Sequence, residues 1–414
     1  MITFLKKHLS PIPFFALTLY IFFMYNAQNT LFPSSVHSMV MYFMILVTFA
    51  YYLKNRLFNI SEFSSWYFGF FILSIMSFCL FEENSDSKML YTILVSFIIL
   101  LCFIYNINTY IKLKTTINIY ILSSIILAIY IWLSGQLDYL YYDSLSEERL
   151  GTEISGNANI FSAMFMYAGT FAAWFMIFNR TKYNRILYLI SFLFIIIIMA
   201  ISGGRKTIVA VIGALIVFIL CKSNNKRKLI RNAIIACLII YTIFYATLNI
   251  PILYDLIGQR FEGLLSLGQG NESEVSGDDT RVRIFKLAFL GWLENPIFGH
   301  GIDSFKYYNQ KMTGHFYYAH NNYVELLYNL GIIGFIYFYW IYWYLYKKLK
   351  SLPIQLHKYQ ILGYGLLIEL LIFDVGGVSY YLVGNIMILT LAYKCYTLKD
   401  STSYNVRNNL NQPI

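Results

Sequence analysis

The residues best suited to chemistry stand at the mouth of one apolar segment, in YYAHNNYVELLYNLGIIG, residues 317–334. His320 is the strongest candidate for a base, because an imidazole exchanges a proton near neutral pH. Its alternative role is a hydrogen bonder at a helix start. Asn321 reads either as an N-cap or as a group that orients an acceptor substrate. Glu325 lies about one turn inside the apolar run. An ionisable side chain there is costly enough that function is the default reading, with burial against a polar neighbour as the alternative. His300, between two glycines in FGHGIDSF, looks more like a turn residue, and His315 has no supporting pattern. Gly331 and Gly334 are expected to share a helix face with His320, Val324 and Leu327 and to allow close helix packing.

Cations offer the complementary chemistry. Arg205 opens an apolar segment in ISGGRKT, next to Gly203, Gly204 and Lys206. An arginine at a helix start, beside free backbone N–H groups, suits an anion such as phosphate. Arg281 and Arg283, in DDTRVRIFKLAFLGWLENP (278–296), are candidates for a fork-shaped clamp on the same anion. Arg260 lies further upstream in the same polar stretch. Taken singly, each arginine reads more simply as snorkelling to lipid phosphates or pairing with Asp278, Asp279 or Glu294.

These residues have to be positioned by membrane-spanning helices. The 414-residue chain is 58% hydrophobic, 19% aromatic and only 13% charged, a composition that belongs to a polytopic membrane protein. Apolar stretches predict twelve spans, at about 13–30, 35–53, 63–81, 88–106, 116–134, 157–179, 183–201, 204–222, 229–250, 322–346, 358–374 and 376–396. The expected organisation is therefore an all-α transmembrane bundle. Spans 1–9 occupy residues 1–250, a long loop follows at 251–321, spans 10–12 at 322–398, and a polar cytoplasmic tail at 399–414. Lys6 and Lys7 ahead of the first apolar run, with no small-residue cleavage site after it, predict an uncleaved first span.

Charge placement sets the expected orientation. With the N-terminus in the cytoplasm, the inner segments hold 21 of the 31 lysines and arginines, and the acids of FEENSD (81–86) and the 138–153 loop fall outside. The net charge of +10 is thus a topology signal and not a nucleic-acid footprint. Both termini are expected in the cytoplasm, and His320, Arg205 and Arg281 at the outer ends of spans. The outer loop 251–321, of about seventy residues, is too long for an idle connector. Within it a helix is expected over about 279–294, closed by Pro296, with Val282, Phe285, Phe289 and Trp292 on a face that lies along the membrane interface. The five cysteines show no CxxC spacing, so neither a disulfide framework nor a zinc site is supported. No phosphate-binding GxxxxGK[ST] loop or dinucleotide fingerprint is present.

Four motifs in order resemble the O-antigen ligase and O-antigen/capsular polysaccharide polymerase family: GNANIFSAMF (156–165), SGGRKT (202–207), TRVRIFKLAFLGWLENPIFGHGIDSF (280–305) and HNNYVELLYNLGIIG (320–334). His300 departs from the family pattern, which more often has a small apolar residue between the glycines. The resemblance implies a metal-independent glycosyltransferase of the GT-C type in the bacterial plasma membrane, without a cofactor. It implies that His320 is the base and that Arg205 and Arg281 hold the pyrophosphate leaving group of an undecaprenyl-linked glycan donor. Arg283, Arg260, Asn321, Glu325 and His300 are accessory candidates. Donor and acceptor are then lipid-linked oligosaccharides, membrane lipid surrounds the protein, and flippase and chain-length regulator proteins are the expected neighbours. The segment wording favours a polymerase. A ligase acting on lipid A core is the nearest alternative, and a lipid-linked oligosaccharide flippase the alternative of another class.

Overall fold

The computed structural model describes residues 11–27, 30–57, 59–82, 85–134, 150, 158–222 and 277–398, with isolated positions between 227 and 249. Among them the chain is helical throughout, without strands. The helices are α1 (Ile12–Asn26), α2 (Ser34–Lys54), α3 (Glu62–Leu80), α4 (Ser87–Asn106), α5 (Tyr110–Leu133), α6 (Ala158–Phe178) and α7 (Lys182–Ile201), then α8 (Arg205–Cys221), α9 (Gly277–Glu294), α10 (Phe305–Thr313), α11 (Asn322–Lys350), α12 (His357–Gly376) and α13 (Val383–Thr397). Side-chain oxygens of Ser61, Asp86, Thr109 and Thr181 cap the starts of α3, α4, α5 and α7, accepting from backbone N–H groups that have no partner inside the helix.

Eight of these helices are long and apolar enough to cross a bilayer: α2 to α7, α11, and α12 with its leading turn. The chain is a multi-pass membrane protein built as a polytopic helical bundle. Three segments expected as spans are shorter helices: α1 with 15 residues, α8 with 17 and α13 with 15. The expected ninth span, 229–250, apart from isolated positions, and the first part of the long loop, Arg260 included, lie outside the described residues.

The interior is filled by large aromatic side chains, with Tyr20, Tyr25, Phe63, Tyr67, Phe70, Phe103, Tyr120 and Trp174 all buried. Helix α8 packs along α12, α6 against α7 and α8, and α9 and α10 against α11. The α8–α12 contact is close because each helix offers a glycine to the other. An added Cβ at Gly365 would fall 2.2 Å from the Phe218 ring, and one at Gly213 2.3 Å from Ile372.

Two expectations change. Helix α13 begins at Val383, not near 376, because Gly376 and Gly377 end α12 and residues 377–382 turn back beneath α11. The buried amide of Asn322 satisfies that turn: its Oδ1 accepts the N–H groups of Ser379 (2.8 Å) and Tyr380 (3.0 Å). The second change concerns α11. Gly331 has φ 63° and ψ −169°, so the 29-residue element is two helices meeting at a break.

The freed backbone groups at that break are taken up by the segment after α9. Tyr328 and Asn329 carbonyls accept from the N–H groups of His300 (2.9 Å) and Gly301 (3.0 Å). The N–H groups of Ile332 and Ile333 donate to the carbonyls of Pro296 (2.9 Å) and Ile297 (3.4 Å). Backbones approach this closely only without side chains between them: a Cβ on Gly331 would lie 2.2 Å from the Ile297 oxygen, and one on Gly299 2.6 Å from the Asn329 carbonyl. Gly331 therefore serves a loop that plugs a broken helix, not the helix-to-helix packing expected from the sequence. His320, with φ 54°, precedes α11 and shares no helix face with it.

Candidate functional site

His320 sits at the end of a non-helical strap, residues 315–319, in the left-handed backbone region that few non-glycine residues occupy. Such strain persists only where the surroundings impose it, and it clusters at functional sites. Two contacts impose it here. On one side, the Glu325 carboxylate, fully buried, accepts the N–H of Ala319 at 2.6 Å and the amide of Asn329 at 3.2 Å. On the other, Asn321 caps α11 through Tyr323 N–H (3.0 Å) and Val324 N–H (3.1 Å), while its own amide donates to the Val375 carbonyl at 3.0 Å. Asn321 is thus both the expected N-cap and a tie to the end of α12. Glu325 holds the strap that carries His320.

Beneath the turn lies a buried polar cluster that sequence reasoning missed. Asp374, near the C-terminus of α12, accepts from Tyr339 (2.8 Å), from the Ser379 hydroxyl and, at the limit of reach, from the Asn322 amide (3.5 Å). Asn322 also donates to the Tyr339 hydroxyl at 2.8 Å. A carboxylate two residues before a double glycine, at the end of an apolar run, was the available signal.

Two cations bear on His320, Arg281 from α9 and Lys206 from α8. Burial is the larger influence and pushes the imidazole down to about 4, and both positive charges act in the same direction. At neutral pH the ring is therefore uncharged. Tyr318 packs 4.6 Å from it, centroid to centroid, and Tyr317 6.3 Å away.

Arg281 and Arg283 do not form a common clamp. Two residues apart on a helix, their side chains leave roughly opposite faces. Both are exposed, but Arg281 is in register with Ile284 and Ala288, which are buried in the cluster containing Val324 and Tyr328 of α11, whereas Arg283 lies on the other side of the helix. Val282, Phe285 and Phe289 form an exposed apolar face of α9.

Arg205 is half-buried at the first position of α8. The turn before it is not the supply of free N–H groups expected from its glycines. The N–H groups of Gly203, Gly204, Arg205 and Thr207 bond to carbonyls of Ala200, Met199, Gly203 and Gly204. His300 is committed elsewhere: its Nε2 bonds the Gly291 carbonyl at 2.8 Å and its ring stacks on Tyr328 at 4.6 Å. It joins α9 to α11 and steadies the plug.

Helix α10 is braced from a distant part of the chain. Lys306 of α10 pairs with Asp86 at 2.8 Å and with Asp303. Burial alone would raise Asp86, but the Lys306 ammonium outweighs it and holds the carboxylate below its ordinary range.

Residues 189–339 match the family model described as O-antigen ligase. This segment is similar to the O-antigen ligase family. That stretch contains Arg205, the plug and break, and His320 with the two cations that act on it, Lys206 and Arg281. Asp374 and the GNANIFSAMF segment lie beyond it. The family resemblance read from the motifs is borne out over this segment, and it supports glycosyl transfer of the O-antigen ligase and polymerase type at the level of the family. No curated protein sequence matches the chain.

Proposed function

We propose that this protein is a polysaccharide polymerase of the plasma membrane. In this reading it transfers a glycan from a polyprenyl pyrophosphate to a sugar hydroxyl of another lipid-linked repeat unit on the outer face. The observation that carries it is the His320 turn: an imidazole held in a strained backbone conformation, its proton affinity lowered by burial and by the charges of Arg281 and Lys206.

The reaction needs little beyond what these residues offer. His320 accepts the proton of the attacking hydroxyl while the hydroxyl oxygen bonds to the anomeric carbon. The bond from that carbon to the pyrophosphate oxygen breaks, and the electron pair leaves with pyrophosphate, whose growing charge Arg281 and Arg205 stabilise. An imidazole near 4 is a weak base in the empty site. A bound pyrophosphate offsets the surrounding cations and raises its proton affinity when the proton has to move. No step requires a metal ion. The Lys/Arg distribution supports an outer-face position for His320 and both arginines. The exposed rings of Phe316 and Tyr317 on the strap suit stacking against sugar.

The test is transfer by purified full-length protein in detergent, supplied with a defined lipid-linked repeat unit. A ladder of lengthened glycan supports the polymerase. Glycan joined to lipid A core instead identifies a ligase, and transbilayer movement of the lipid without glycan transfer identifies a flippase.

A further inference from the structure

Lys206 follows the arginine expected to bind the leaving group, but its side chain takes its own course. Its Nζ donates to the Gly376 carbonyl at 2.8 Å and lies 4.6 Å from the centre of the Phe373 ring. Gly376 and Gly377 make room for it. A Cβ on Gly377 would fall 2.6 Å from Nζ, and one on Gly376 3.0 Å from Lys206 Cδ. The amine is thus seated in a slot at the C-terminal end of α12, where unpaired carbonyls and the helix dipole favour a cation. The adjacent carbonyl, Val375, is the one that accepts the amide of Asn321. One helix end therefore holds the lysine of α8 and the residue next to His320 through consecutive carbonyls.

We propose that Lys206 is a positioning residue for the base: by locking the end of α12 to α8 it fixes the carbonyl to which the His320–Asn321 turn is tied. Its charge has a second effect. With Arg281 it opposes protonation of His320, leaving the ring free to accept a proton. The charged and titratable groups around the turn are Lys206 on α8, Arg281 on α9, Asp374 on α12, and Tyr323 and Glu325 on α11. The strap adds Tyr317 and Tyr318. Asp374 acts on Lys206 in the opposite sense to Arg281.

This role rests on the glycosyl-transfer reading, so its test has one arm that does not. Full-length protein labelled on histidine is titrated by NMR in detergent, with His320→Asn assigning the signal. Lys206→Met is expected to move the His320 transition to higher pH than in the parent, while Lys206→Arg leaves it nearly in place. In the transfer assay, Lys206→Met is expected to lower kcat roughly tenfold or more, with less change in KM, and Lys206→Arg to restore part of it. Gly377→Ala keeps the lysine but drives its amine from the slot, and should lower kcat likewise. It carries the test if Lys206→Met does not fold. An unmoved His320 transition in Lys206→Met, or parental kcat in either Lys206→Met or Gly377→Ala, overturns the proposal. Absence of transfer by the parent protein would refute the glycosyl-transfer reading, and the titration would still decide whether Lys206 governs the ring.

Discussion

At the scale of single residues, His320 is defined by its backbone as much as by its ring. Its φ of 54° makes alanine a poor probe, because alanine tolerates the left-handed region less well than asparagine. His320→Asn separates loss of the imidazole from strain. The depressed proton affinity also makes a stability prediction. In the unfolded chain a histidine titrates near about 6.5, whereas in the fold His320 stays uncharged down to about 4. The unfolded state thus binds more protons between those values. The His320 contribution to stability is steady above the upper value, falls as pH drops through the window, and is steady again below it. Thermal unfolding at pH 7 and pH 5 should show a larger loss in the parent than in His320→Asn, and an equal loss in both would contradict the assignment. Glu325, buried against Ala319 N–H and the Asn329 amide, makes a different prediction. Glu325→Ala should cost about 2–4 kcal/mol by leaving buried donors without acceptors, and Glu325→Gln less, as one oxygen remains. Unfolding in denaturant would show it, and equal costs would mean that the Ala319 contact matters little.

At the scale of elements, the broken helix α11 and its plug are the structural signature. The Asn-Pro-x-x-Gly-x-Gly wording of 295–301 and the glycine at 331 were both legible in the sequence, but not that they serve each other. Hydropathy sees one apolar run across Gly331, and a backbone pairing between segments thirty residues apart leaves no periodicity to read. Gly331→Ala should destabilise the protein by about 3 kcal/mol or more, since it adds a side chain at positive φ against the Ile297 carbonyl. The yield of monodisperse protein and its melting temperature would report it, and a parental melting temperature would show that the plug yields easily. The same blindness to pairing explains Asp374 and Lys206. Asp374 looks isolated in an apolar run and Lys206 reads only as the neighbour of Arg205, until α8 and α12 bring both to the His320 turn. The expected start of the twelfth span falls too early for a related reason: 376–382 is apolar enough to read as helix, and only the bonds to Asn322 show that it is a turn.

For the whole molecule, the multi-pass helical bundle was readable from composition and apolar run length, because the bilayer fixes both. The expected base, His320, lies inside the matched family segment with Lys206 and Arg281 bearing on it. Arg283 and His300 are directed elsewhere, by helix geometry and by the Gly291 carbonyl. If cationic side chains alone stabilise the leaving group, activity should persist within about twofold in excess chelator, and a loss restored by a divalent cation would contradict the metal-free mechanism. The most direct measurement compares parent and His320→Asn proteins, both shown to be folded, on a defined polyprenyl-pyrophosphate-linked repeat unit in detergent. The account predicts lengthened glycan and released polyprenyl pyrophosphate with the parent and neither with His320→Asn. Equal product from the two proteins, or no glycan transferred by the parent, would contradict it.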